Sequence, residues 1–158
     1  MKRKTWSFAF IVLAIVLFTI IFVNKEDNVY SEENCLETYI PCVNAFTDKT
    51  TVKVLNGTSV LDRGGGNFIY GDFFKGDVER AKLDMLVAEK NEVVTLEFIN
   101  NKPQTITVFQ LDGEEREKEI AMTQHTFTVP NKSGTYKYEL YGEYSNGTVH
   151  HYLKIKVE

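Results

Sequence analysis

Residues 135–157 read TYKYELYGEYSNGTVHHYLKIKV, and this stretch decides the fold. From Thr135 to Tyr144, the residues Tyr136, Tyr138 and Leu140 recur at every second position. That period puts them on one face of a β-strand. Asn146-Gly147 follows, a pair that tolerates the positive φ of a tight hairpin turn. From Thr148 to Val157, the residues Val149, Leu153, Ile155 and Val157 fall on one face and Lys154 and Lys156 on the other. Two long antiparallel strands are therefore expected, each with one buried and one wet face.

The same punctuation extends upstream. Glu92 to Ile99 (EVVTLEFI) is a strand with Val94, Leu96 and Phe98 on one face. Asn100 to Pro103 turns the chain into Gln104 to Leu111, where Ile106 and Val108 share a face, and Asp112-Gly113 turns it again. Weaker strands are expected over Glu117 to Met122 and His125 to Val129, followed by Pro130 and a turn over Asn131 to Gly134. Further upstream Thr51 to Leu55 alternates, Asn56-Gly57 reads as a hairpin turn, and Thr58 to Leu61 reads as its return strand. Asp62 to Gly66 is a glycine-rich loop before Asn67 to Tyr70, and Gly71 to Leu86 reads as a short helix or an irregular loop. With no helical period between strands, residues 50–158 are expected to form an all-β sandwich of two packed antiparallel sheets.

The N-terminus has a different composition. Trp6 to Val23 (WSFAFIVLAIVLFTIIFV) carries no charge in 18 residues. As a helix it spans about 27 Å, close to the roughly 30 Å of a bilayer core. The side chains that would face lipid include Trp6, Phe8, Phe10, Ile11, Leu13, Val16, Phe18, Ile21 and Val23. Lys2, Arg3 and Lys4 precede the run, whereas Glu26, Asp27, Glu32 and Glu33 follow it. The positive flank belongs in the cytoplasm. The expected order is a cytoplasmic tip (1–5), a single-pass signal-anchor helix (6–23), an acidic stalk (24–49) and an extracytoplasmic domain (50–158). Cleavage as a signal peptide is the competing reading, but Thr19 to Asn24 offers no pair of small residues at a suitable distance.

Beyond the anchor the three basic residues of the tip drop out and all 22 acidic ones remain, which leaves a net charge of −7 from Asn24 onward. That balance argues against nucleic acid and against lying flat on anionic lipid through charge. Cys35 and Cys42 lie outside, where an oxidising compartment permits a disulfide; two free thiols or a bridge to another chain are the alternatives.

Reactive constellations are scarce. His150 and His151 are adjacent on a strand and must point to opposite faces. His125 is remote from them in sequence, so no zinc site is expected. Asp72, Asp77, Glu79 and Asp84 cluster in the least regular stretch but lack the ordered spacing of a calcium loop. Gly64-Gly65-Gly66 lacks the Lys-Ser/Thr of a phosphate loop. Glu114 to Glu119 (EEREKE) reads as the charged edge of a sheet. No catalytic, cofactor or metal residue is expected, and the protein is not expected to be an enzyme.

Pro130, Gly134-Thr135-Tyr136-Lys137-Tyr138, Asn146-Gly147 and Tyr152 to Val157 together resemble the end of an immunoglobulin-like sandwich domain. With the anchor, the chain is similar to small membrane-anchored envelope proteins of Gram-positive bacteria. The resemblance covers residues 50–157 and rests on fold motifs. It implies that Tyr136 is a tyrosine corner, its hydroxyl tied back to an upstream loop. The chain departs from antibody domains in having no cysteine pair between sheets and no strand tryptophan. The resemblance implies a shape and a location but no activity; a well-patterned sandwich with no reactive constellation is expected to be a membrane-tethered binding module with a protein, peptide or cell-wall partner. Two alternatives are an accessory or sensory subunit of a membrane peptidase or transporter, and a metal-binding protein or enzyme built on residues 72–84.

Overall fold

The computed structural model describes residues 29–31, 35, 39–71 and 77–158. The expected anchor over 6–23 lies outside them, and among the described residues no helix is long and apolar enough to cross a membrane. The strands in chain order are β1 (Val43–Phe46), β2 (Thr51–Lys53), β3 (Leu55–Asp62), β4 (Phe68–Gly71), β5 (Met85–Ala88), β6 (Val93–Phe98), β7 (Thr105–Asp112), β8 (Glu115–Ile120), β9 (Thr126–Thr128), β10 (Gly134–Tyr144) and β11 (Gly147–Val157), with one helical turn, α1 (Asp77–Arg80), before β5.

They form two sheets. The short one has the order β2-β1-β6-β9; the long one runs β4-β3-β11-β10-β7-β8, with β5 also paired to β11. The deciding stretch is the long sheet's spine: β10 and β11 pair over their full length, Gly134 opposite Val157 and Tyr144 opposite Gly147. Gly147 has a φ of 145°, and a Cβ there would lie 1.9 Å from the carbonyl oxygen of Val60, so only glycine fits that turn.

One buried cluster joins the sheets. Val43, Ala45, Val94, Leu96, Phe98 and Phe127 from the short sheet meet Val108, Tyr138, Leu140, Leu153, Ile155 and Val157 from the long one. Val94, Leu96, Phe98, Val108, Tyr138, Leu140, Leu153, Ile155 and Val157 are period-two residues expected from sequence, and Val43, Ala45 and Phe127 join them. Truncating a fully buried member such as Leu140 or Leu153 to alanine would cost about 2–5 kcal/mol.

Three elements differ from the sequence expectation. First, the sandwich begins at β1, inside the segment read as stalk. Val43 and Ala45 are fully buried, and β1 is held between β2 and β6. Second, Asn56-Gly57 is not a turn but lies within β3. The chain changes sheets at the buried Val54 instead, between β2 and β3. Glycine is needed at 57 because the Tyr152 ring lies against it; a Cβ would sit 2.3 Å from Tyr152 Cε2. Third, the irregular stretch ends in β5, which pairs parallel with β11, Met85 opposite Lys154 through Ala88 opposite Val157. Four residues gave too short a pattern to separate from loop.

One pole of the sandwich gathers the Cys35–Cys42 loop, the β3–β4 turn, the β6–β7 connection and the β10–β11 turn. Asn100 binds it together: its amide donates to the carbonyls of Cys35 and Ile40, and its Oδ1 accepts from the Cys42 N–H at 2.8 Å. A second small core of Leu61, Tyr144 and Val149, covered by Ile40 and Ile69, seals this pole.

Candidate functional site

The most developed polar constellation lies on the outer face of the long sheet. Alternation aims Lys137, Glu139, Tyr141 and Glu143 of β10 away from the core, yet Glu139 is only 6% exposed. The Arg116 side chain reaches over from β8 and donates Nε and Nη2 to the two carboxylate oxygens at 2.7 and 2.9 Å. His150 Nδ1 of β11 meets Oε1 from the other side. Burial alone would raise the Glu139 pKa, but the hydrogen bonds from Arg116 and His150 outweigh it and hold the carboxyl at about 2.

Aromatic rings frame this charge cluster. The Arg116 guanidinium lies 4.1 Å from the Phe109 ring centroid and 5.6 Å from that of Tyr141. Tyr141 packs edge-on against His150 at 5.0 Å. Burial, then the charge of Glu139, pushes the Tyr152 phenol up to about 12. The Nη1 side of Arg116 is not engaged by Glu139, and the side chain is 42% exposed.

Behind the sheet His151 makes a separate network. It is fully buried, with Nδ1 donating to Asn56 Oδ1 at 2.7 Å and Nε2 accepting from the Tyr144 hydroxyl at 3.0 Å. Both nitrogens of a neutral ring are thus satisfied. Burial, with a smaller contribution from neighbouring His150, lowers its pKa to about 3.

A carboxylate with both oxygens engaged and a depressed pKa is neither a proton donor nor a free base near neutrality. The hydroxyl on His151 donates to the ring and so is not activated by it. Arg116 between rings can instead hold a planar or anionic group by hydrogen bonding and stacking.

The residues singled out in the sequence fall as follows. Cys35 and Cys42 form a disulfide with Cα atoms 6.1 Å apart. The Tyr136 hydroxyl donates to the Lys132 carbonyl at 2.9 Å, in the loop just upstream. His150 and His151 lie on opposite faces, and His125 packs against Phe98, remote from both. Asp72 and the side chains of Asp77 and Glu79 lie outside the described residues. Among the described residues no group of three His, Cys, Asp or Glu converges on a metal position. Glu139, Arg116, Phe109, Tyr141 and Tyr152 carried no sequence signal of a site: Arg116 read as part of a charged sheet edge and Tyr152 as a fold motif, and an outward glutamate in an alternating strand looks the same whether it is solvated or clamped.

No protein family, no curated protein and no solved structure matches the chain. Its functional reading therefore rests on its own residues.

Proposed function

We propose that the protein is a membrane-tethered binding module: an immunoglobulin-like sandwich held on the outer face of a cytoplasmic membrane by Trp6 to Val23, engaging a protein, peptide or cell-wall partner. The tether reading is supported by the uncharged 18-residue run with its positive flank. The Cys35–Cys42 disulfide fits an oxidising compartment. The immunoglobulin-like reading is supported by the long terminal hairpin and by the bond from Tyr136 to the loop before its strand.

The observation that carries binding over catalysis is the Arg116–Glu139 surface. It presents recognition groups, a guanidinium and three aromatic rings, and its one carboxylate is already saturated. Arginine and tyrosine are the residues that dominate protein interfaces when partly desolvated. A photo-crosslinking side chain placed at Tyr141 in intact cells is expected to capture a discrete species, and Arg116→Ala is expected to abolish that capture. Protease added outside the cells should remove the domain. Capture that is equal from exposed Glu97 on the opposite sheet, or a domain that resists external protease, would rule the proposal out.

A further inference from the structure

Exposed apolar side chains are concentrated at one place. Tyr39 (68% exposed), Val60 (41%), Phe68 (49%) and Tyr70 (67%) account for four of the six large hydrophobic residues exposed among the described ones. They are contiguous around the β3–β4 hairpin. Val60 and Tyr70 are directly opposite in register, so their side chains share a face, and Phe68 lies two residues before Tyr70 on that face. The rings of Phe68 and Tyr70 lie 5.9 Å apart. Arg63, in the turn between the strands, lies 3.4 Å over the Tyr39 ring. Edge strands are usually guarded by charge. The far edge, β8, is so guarded, whereas β4 carries Phe68, Ile69 and Tyr70 with no charged residue.

The tether brings this pole close to lipid. Tyr30 is fixed to the short sheet by two bonds, its N–H to Asn44 Oδ1 at 2.7 Å and its carbonyl from Asn44 Nδ2 at 2.9 Å. Asn44 is the second residue of β1, just past the disulfide loop at the same pole as Tyr39. Only residues 24–28 separate Val29 from the end of the apolar run. Even fully extended, the chain from Val23 to Val29 reaches about 20 Å. The headgroup layer occupies roughly the first 5–8 Å of that.

We infer that the Tyr39–Phe68–Tyr70 pole rests in the headgroup layer of the membrane that anchors the chain, with the aromatic rings at the lipid interface and the Arg116–Glu139 surface left free above it. The inference rests on the tethered reading proposed above. The occupant is a bilayer surface, because the patch lies at the tethered pole and because its chemistry is that of interfacial aromatic belts. Net charge opposes an anionic surface, so the contact is driven by aromatic burial and helped by the high local concentration that a short tether imposes.

The test uses the full chain in phosphatidylcholine vesicles whose acyl chains are brominated near the headgroup. In a Trp6→Phe background, Tyr70→Trp places the sole tryptophan on the patch and Val93→Trp places it at the far pole. Both sites are exposed, so neither change burdens the core. Flotation is measured on the same samples. The expected result is that both proteins float, that Tyr70→Trp loses about half its emission to bromine, as a side chain within ~5–10 Å of the acyl boundary should, and that Val93→Trp loses almost none. Proteins that float with equal, weak quenching at both sites overturn this inference alone. Proteins that do not float overturn the tethered reading as well.

Discussion

Lowering the pH from about 8 to about 5 should weaken the fold through a single buried ring, His151. The imidazole is neutral in the folded state, with both nitrogens engaged by Asn56 and Tyr144. Its folded pKa is about 3 against 6.5 for the free side chain. The unfolded chain therefore takes up the proton first. Stability from this residue is complete above pH 6.5, falls through the interval from 6.5 down to about 3, and levels off below it. Each pH unit inside that interval costs about 1.4 kcal/mol. At about pH 5 the loss is about 2 kcal/mol, and it depends on the unfolded pKa alone as long as the buried ring stays neutral. Urea unfolding followed by circular dichroism at the two pH values measures it as a shift in midpoint at constant slope. His151→Gln supplies the reference. It lowers stability at both pH values by about 1–3 kcal/mol, because the groups on Asn56 and Tyr144 lose partners. The wild-type should lose about 2 kcal/mol more than the variant between the two conditions, with the other histidines cancelling in the comparison. Equal losses in the two proteins would refute the reasoning.

Reduction of the disulfide, or the pair Cys35→Ser with Cys42→Ser, should lower stability by about 2.5 kcal/mol from loop-closure entropy, read as a lower urea midpoint in the presence of a reductant. Among the described residues the buried Tyr138 hydroxyl has no hydrogen-bond partner, so Tyr138→Phe should leave stability unchanged or raise it by up to about 1 kcal/mol; a loss of stability would reveal a partner. Arg116→Ala leaves Glu139 buried with His150 alone and should cost about 1–3 kcal/mol near neutral pH. In the wild-type the Glu139 contribution is present above pH 4.5 and is lost as the pH falls toward about 2, so the gap between wild-type and variant should close in acid.

Much of the fold was legible because period-two alternation is a direct image of the pleat. Val94, Leu96 and Phe98, and Val149, Leu153, Ile155 and Val157, could be assigned to the core without coordinates. The signal fails where a residue has two uses. Asn-Gly at 56–57 has turn chemistry, yet here Asn56 accepts from His151 and Gly57 makes room for Tyr152. At 146–147 the same dipeptide straddles the turn's end: Ser145 and Asn146 make the turn and Gly147 opens β11. β1 was missed because Cys35 to Phe46 mixes a disulfide loop with only four strand residues, and a pattern that short has no period to measure. The outer surface was illegible for a different reason. Glu139 is 23 residues from Arg116 and 11 from His150, and those contacts follow from sheet order and register, which no local pattern encodes.

β11, the last of the described strands, is also the hub of the long sheet, touching β3, β10 and β5. Ten of the described strands therefore leave the ribosome before the one that links β3, β5 and β10 exists. Until residues 147–157 arrive, β3 and β5 have no neighbour on that side and the shared core stays open on its long-sheet wall. The long sheet is therefore expected to close late, once β11 is available to β3, β5 and β10. Loss of residues 147–157 would leave β3, β5 and β10 each without a neighbour at once.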